Sequence, residues 1–374
     1  MNPYSRQVID EADIEAVVAA LKGDILTGGA TVDRFEKKIA EYIGAKEAVV
    51  FNSGTAALHA AYHILGIGEG DEVVTTPISF AATSNAALYV GAKPVFVDVR
   101  FDGNINETLI EAAITEKTRA IVPVDYAGTP VAIEAINAVA KKHNLKVIED
   151  AAHAFGSMRG DRKVGVDADV TTFSFHPVKP FTTLEGGALT TDDPALAEAA
   201  RRFRSHGIER GRLWNMEMVE LGYNYRLSDV QCALGISQLE KLDGFLEKRE
   251  AIAAYYDGAF AGHPQLFAPK LPEGTRSSRH LYPVMLDRSL WCSKEDIFQA
   301  CRDAGLGVQV HYKPIYQHKY YKERFGSQRF DTAEDFYRAE LSIPCHHAMG
   351  LDEAETVVKR LSEILEKYSR GCRV

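Results

Sequence analysis

No stretch of this 374-residue chain stays apolar for long enough to span a bilayer, so a protein built on membrane-crossing helices is not expected. Cysteine is sparse. Cys232, Cys292, Cys301, Cys345 and Cys372 are scattered, odd in number and never spaced as CxxC, which argues against a disulfide or zinc scaffold. No metal site is expected. Positive charge is short as well: 43 Lys and Arg stand against 52 Asp and Glu, a formal net charge of −9. Nucleic acid and anionic membrane both select basic surfaces, so neither is expected as a partner. An anionic small substrate needs only local positive charge and stays possible. Repeats, low-complexity tracts and long charge runs are missing. So is a basic-then-apolar leader, because MNPYSRQVIDEADIEAVVAAL is acidic and amphipathic. The expectation is a soluble, cytoplasmic protein.

What is present is ordinary for a globular enzyme-sized chain: 46% hydrophobic and 25% charged residues, with length for a large core and two domains. From Glu47 to Thr191 short β-branched runs alternate with helical stretches. EAVVF precedes TAALHAAYHIL, DEVVTT precedes FAATSNAALYV, and KPVFVDV precedes a helical TLIEAAITEK. RAIVPVDY precedes PVAIEAINAVAKKHN, and LKVIED follows. Such alternation means a mainly parallel sheet covered on both faces, with the binding site at the carboxyl ends of the strands. TTFSF and GALTT read as a hairpin pair, PALAEAARRFRSHG as a helix, and Leu227–Phe260 as one long helical stretch. After about Gly262, strand-like HLYPVML, GVQVHY and ELSIPC alternate with KEDIFQACRDAG and DEAETVVKRLSEILEKYS, a second, smaller α/β unit.

The strand ends carry the chemistry. NSGT, with Gly54 and Thr55, opens a helix; its free N–H groups and positive dipole suit a phosphate, although taken alone the motif favours a simple helix cap by Ser53 or Thr55. Phe80 lies near the next strand–helix junction, where a phenylalanine usually belongs to the core. Asp150 ends an apolar strand, where a carboxylate is costly unless a cation or several donors meet it; His153 is its neighbour in sequence. Ser174 is the second-last residue of TTFSF, and Lys179 follows between Pro177 and Pro180, ahead of Glu185-Gly186-Gly187. A lysine there is ordinarily solvated, but a desolvated one loses its proton readily and forms Schiff bases with aldehydes. An anion cradle, an aromatic, a carboxylate and a lysine in order on one sheet match a cofactor with a phosphate, a flat ring, a ring nitrogen and an aldehyde. That cofactor is pyridoxal 5′-phosphate.

NSGTAAL, TTPISFAATSNA, EDAAHAFGS, FSFHPVKPFTTLEGGAL, RSHGI, GYNYRLSDVQCALGISQLEKL, HLYPV and VQVHYKPIY together resemble the DegT/DnrJ/StrS family of PLP-dependent nucleotide-sugar aminotransferases, over nearly the whole chain. The resemblance implies fold type I, the aspartate aminotransferase-like α/β architecture. That is a large, mainly parallel, seven-stranded-type sheet domain, taken as residues 1–250, and a smaller C-terminal α/β domain, 251–374. It implies that Lys179 binds the cofactor aldehyde and then moves the proton, that Asp150 pairs with the ring nitrogen with His153 in support, and that Phe80 stacks on the ring. Gly54, Thr55 and Ser174 would hold the phosphate, joined by Asn224 of a second subunit, so a homodimer with a composite site is expected. His176 would line the site and Glu185 orient the cofactor. Arg226 would either meet the donor's carboxylate or serve structure.

Some members of the wider family carry histidine in place of the lysine and dehydrate sugars; others of the superfamily regulate transcription. Lys179, and the lack of an added DNA-binding segment, point to aminotransfer. TTPISFAATSN, VDYAG, HLYPV, VQVHYKPIY and EDFYRAELSIPCH resemble the subgroup that serves pseudaminic-acid biosynthesis. That subgroup implies L-glutamate as donor and a UDP-linked 2-acetamido-2,6-dideoxy-4-keto hexose of L-arabino configuration as acceptor. A UDP-4-amino-arabinose or dTDP-amino-sugar enzyme and a non-catalytic regulator are the alternatives. Gln309, His311, Tyr312 and Tyr316 would lie near the sugar nucleotide, or else VQVHYKPIY simply packs a strand with its tyrosines half-buried.

Overall fold

The computed structural model describes residues 2–368, so Cys372 lies outside the described residues. The central sheet is built from β1 (Glu47–Phe51), β2 (Glu72–Thr75), β3 (Lys93–Phe96), β4 (Thr118–Val122), β5 (Lys146–Asp150), β6 (Val170–Ser174) and β7 (Gly187–Thr191). Its seven strands run in the order β1-β7-β6-β5-β4-β2-β3. The β2–β3, β2–β4, β4–β5 and β5–β6 pairs are parallel, whereas β7 is antiparallel to both β1 and β6. In the β6–β7 pair Ser174 faces Gly187, the hairpin expected from TTFSF and GALTT.

Successive strand residues point to opposite faces, and both faces are buried. Val49, Phe51, Val73, Val122 and Ile148 pack beneath helices α3 (Gly54–Ile64) and α6 (Pro194–Arg204). Their neighbours Val50, Val74, Ile121 and Val147 face the other way, toward α2 (Ala30–Ile43) at one end and α5 (Ile133–Lys142) at the other. Each such aliphatic side chain contributes about 1.5–3 kcal/mol when fully buried. The first helix, α1 (Glu11–Leu21), lies on α7 (Asp229–Glu240), and α4 (Ala82–Tyr89) follows β2.

The C-terminal unit is an antiparallel sheet of β8 (Leu266–Phe267), β9 (Tyr282–Leu286) and β10 (Glu340–Ile343), with α9 (Lys294–Asp303) and α10 (Leu351–Tyr368) packed on it. Helix α8 (Leu242–Ala259) joins the units. Its Leu242 and Leu246 belong to the core beneath the large sheet, and its Ile252, Ala253 and Tyr256 to the C-terminal core. A boundary between residues 250 and 251 therefore falls inside one continuous helix.

Three local expectations change. TLIEAAITEK forms two single 3-10 turns, Glu107–Leu109 and Glu111–Ala113, because only Ile110 of this stretch is fully buried and Asn106 caps the first turn. The stretch from Leu227 to Phe260 is two helices, not one, meeting at Lys241. GVQVHY is not a strand: Gln309 makes a single bridge to Ser342, and the His311 N–H then turns to the Glu340 carboxylate at 2.8 Å. Among the described cysteines, Cys232, Cys301 and Cys345 are free and buried, whereas Cys292 is disulfide-bonded, which is one bridge and not a scaffold. No helix among the described residues is long and apolar enough to cross a membrane.

Candidate active site

The carboxyl ends of β1, β2, β5 and β6 converge. At the end of β1, Ser53 caps α3 by accepting the Ala56 N–H at 3.1 Å, so the capping explanation holds for Ser53. Gly54 and Thr55 form the first turn of that helix and are half-buried. A Cβ on Gly54 would stand 3.0 Å from Ser174 Cβ, and one on Gly187 would stand 2.5 Å from Gly54 N. The glycines thus let β6, β7 and the start of α3 meet backbone to backbone. Ser174, Gly54 and Thr55 are thereby brought together where a helix N-terminus offers N–H groups to an anion.

Asp150, the last residue of β5, is buried. Its Oδ2 accepts the Thr83 hydroxyl at 2.7 Å and its Oδ1 the Ala152 N–H at 3.2 Å. Burial pushes the carboxyl up, while Thr83, the Ala152 N–H and the positive charge of Lys179 pull it back. Two donors and a cation are what an apolar strand end needs to keep a carboxylate. The sequence called for a cation or several donors without naming them, and Thr83 was missed because a threonine in AATSN carries no periodic or motif signal.

Lys179 lies in a turn closed by its own N–H donating to His176 O at 2.9 Å, with Pro177 at the second position of that turn. The Ser5 hydroxyl holds the neighbouring Val178 carbonyl at 2.8 Å, tying the turn to the N-terminal segment. The return to the sheet is fixed by Phe175 N–H on Gly186 O at 2.9 Å and by the Thr182 hydroxyl on Phe175 O at 2.8 Å. Burial lowers the Lys179 ammonium to about 8, against an upward pull from Asp150.

His153 is buried, and its ring nitrogens are taken by the Ala127 N–H at 3.2 Å and by Tyr312 Oη at 3.1 Å, not by Asp150. Since Nδ1 accepts from Ala127, Nε2 carries the proton of the neutral ring and donates to Tyr312. Burial, with Lys179 and His311 nearby, keeps that ring neutral. Phe80 is 63% exposed at the entry to α4, its ring centroid 6.2 Å from that of Tyr312. It is not a core residue, which leaves a flat apolar face open three residues before Thr83, the donor to the acid.

The remaining candidates divide. His311 is buried, with Nδ1 at 2.8 Å from the Ser342 hydroxyl, and Tyr312 is half-buried over His153. His176, Glu185, Asn224 and Gln309 are exposed and Arg226 is half-buried. The Glu185 carbonyl accepts the Thr183 hydroxyl at 2.8 Å and Gln231 Nε2 at 2.9 Å, so its backbone is fixed while its side chain is free to solvent. Tyr316 is buried in a cluster with Phe96, Ile315 and Tyr321 and donates to Glu334 at 2.8 Å. For that residue the packing alternative fits and the sugar-contact expectation does not. Among the described residues, no group of three or more His, Cys, Asp or Glu side chains is arranged to hold a metal.

This donor set fits pyridoxal phosphate: a lysine with a weakened hold on its proton, a buried and well-donated carboxylate, an exposed ring face, and a glycine-lined helix start. The comparisons agree. Two Campylobacter jejuni proteins named UDP-4-amino-4,6-dideoxy-N-acetyl-beta-L-altrosamine transaminase are 50% and 51% identical to this chain, over 99% of it and 99% of their own length. The Helicobacter pylori protein of the same name is 41% identical over 98% of both chains. The solved structure of Helicobacter pylori PseC, described as an aminotransferase involved in the biosynthesis of pseudoaminic acid, superposes with a TM-score of 0.94 at 40% identity. It covers 97% of this chain and 99% of its own. The family model for DegT/DnrJ/EryC1/StrS aminotransferases matches residues 7–362, and the chain belongs to that family, as a fold type I, PLP-dependent aminotransferase.

Proposed function

We propose that this chain transfers an amino group from L-glutamate to C4 of UDP-2-acetamido-2,6-dideoxy-β-L-arabino-hexos-4-ulose. The product is UDP-4-amino-4,6-dideoxy-N-acetyl-β-L-altrosamine, for pseudaminic acid biosynthesis. One observation carries the reading: the relatives named for that transamination are 41–51% identical to the chain over 98–99% of its length. When bound, pyridoxal phosphate supplies an aldehyde carbon that holds the amine and a protonated ring that takes up electron density. Lys179 Nζ would hold that aldehyde and would move the proton, a role its lowered proton affinity supports. Asp150 would hold the ring-nitrogen proton, and His153 and Tyr312 would support the site as a hydrogen-bonded pair.

Phe80 would lie against the ring; Gly54, Thr55 and Ser174 would hold the phosphate, with Asn224 of a second subunit. His176, Glu185, Arg226, Gln309, His311 and Tyr312 are the side chains proposed to meet donor and sugar nucleotide. A product assay tests the substrate: glutamate is supplied with a panel of UDP- and dTDP-4-keto sugars, and the new stereocentre is determined. The expected result is preferred turnover of the L-arabino UDP sugar with an equatorial-or-axial outcome matching the altrosamine product. Turnover of another sugar but not of this one overturns the assignment. A colourless protein that takes up no added pyridoxal phosphate would instead favour a non-catalytic regulator of the same fold.

A further inference from the structure

Two hydroxyls at the start of α4 stand in line with the buried acid. Ser79 Oγ is 2.7 Å from Thr83 Oγ1, and Thr83 Oγ1 is 2.7 Å from Asp150 Oδ2. All three side chains are buried. A hydroxyl has one proton to give, and an ionised carboxylate can only accept. Thr83 therefore donates to Asp150 and receives from Ser79, which sets the direction Ser79 to Thr83 to Asp150. The Phe80 carbonyl, 3.3 Å from Thr83 Oγ1, is the longer and weaker alternative. Thr83 is itself held in place, since its carbonyl accepts the buried Tyr62 hydroxyl at 3.0 Å and its N–H reaches Phe80 O at 3.3 Å. The same helix start thus carries both the exposed ring of Phe80 and the donor to Asp150.

We propose that Ser79 and Thr83 form a hydroxyl relay that orients Asp150 and keeps it ionised, making Thr83 a positioning residue for the acid that meets the cofactor's ring nitrogen. The proposal rests on the assignment of Asp150 to that nitrogen. Donation from Thr83 is the foremost contact opposing the effect of burial on Asp150, ahead of the Ala152 N–H and the charge of Lys179. A hydrogen bond to a buried charge is among the stronger ones, and in a chain of donors each bond polarises the next.

The experiment compares T83V, T83S, S79A and D150N as full-length protein loaded with pyridoxal phosphate. It reads the pH midpoint of the visible cofactor band and the cofactor's dissociation constant, with kcat and KM beside them. T83V is expected to bind cofactor about ten- to a hundredfold more weakly. Its band midpoint is expected to move in the same direction as that of D150N. T83S, which keeps the hydroxyl, restores both, and S79A gives a smaller shift of the same sign. Loss is expected mainly in kcat. Wild-type midpoint and affinity in T83V, with both displaced in D150N, overturns the relay and leaves the role of Asp150 standing. If D150N displaces neither, the role of Asp150 falls and the relay with it. Should T83V fail to fold, T83S and S79A decide: a T83S protein that titrates like D150N, or an S79A protein indistinguishable from wild type, overturns the relay.

Discussion

A lysine holds its proton at neutral pH unless the protein makes the charge costly, and at Lys179 burial does so. With its proton affinity lowered to about 8, roughly a tenth of the side chains are neutral at pH 7, against well under a thousandth for an ordinary lysine. The neutral amine is the nucleophile, so reactivity rises with pH through that midpoint. Labelling the cofactor-free protein with a trace of amine-acylating reagent, read by peptide mass spectrometry, is expected to show Lys179 gaining reactivity with a midpoint near 8. Exposed lysines should follow near 10.4. D150N removes the charge that pulls Lys179 upward, so its midpoint should fall; a rise, or a midpoint shared with surface lysines, contradicts the desolvated site. Lys179→Ala should abolish turnover. Lys179 and Asp150 were legible because a charge at the end of an apolar run demands a partner. Thr83 was not legible, for a buried hydroxyl looks like any helix-starting threonine. Residue type alone left Phe80 between core and ring contact, and it misjudged Tyr316, as an aromatic's letter does not tell which way its helix or turn will face it.

Elements carry these residues to one place by close backbone contact, and that sets the next test. Gly187 sits where a Cβ would meet Gly54 N at 2.5 Å and Ser53 C at 2.6 Å, both main-chain atoms that cannot swing aside. Gly187→Ala must therefore push β7 from the start of α3, at about 1–3 kcal/mol, with the phosphate cradle displaced in the same movement. The expected outcome is a lowered Tm together with weaker cofactor binding. Gly68→Ala, whose Cβ would have its nearest neighbour at 3.9 Å, is expected to change neither. If Gly187→Ala melts and binds as wild type, the close approach is not needed. At the turn, Pro177→Ala and Pro180→Ala should slow turnover a few-fold through freer movement of Lys179. Unchanged kcat in both removes that role for the prolines. The sheet's strands were readable as short β-branched runs between helical stretches, and the site's place at their carboxyl ends follows from a parallel sheet. Strand order, the interruption at Lys241 and the loss of helix at TLIEAAITEK depend on tertiary partners such as α1 and Ile110, which local pattern does not encode.

At the scale of the molecule, one feature of this chain is unfinished on its own. The hairpin of Ile208–Arg210 and Met216–Met218 carries Leu213 and Trp214 at 87% and 85% exposure, with Met216, Met218, Val219 and Leu221 also exposed. So large an apolar surface on a short ribbon marks a protein contact. Asn224 follows on the same segment, exposed, with its carbonyl accepting Asn52 Nδ2 at 3.4 Å at the foot of α3. In the proposed homodimer this hairpin would be covered and Asn224 would serve the partner's phosphate site. Trp214→Glu should then shift the protein toward monomer in analytical ultracentrifugation and weaken cofactor binding, although Trp214 lies far along the chain from Lys179. Mixing separates a shared site from a merely neighbouring one. Lys179→Ala and Asn224→Asp are each expected to be impaired alone, the second because it sets a negative charge beside the phosphate. In a mixed dimer one site combines Lys179 of one subunit with Asn224 of the other, and the second site carries both lesions. Random exchange makes half of the dimers mixed, so roughly a quarter of wild-type activity should return on mixing. If Asn224 serves its own subunit's site, every site in the mixture carries a lesion and nothing returns.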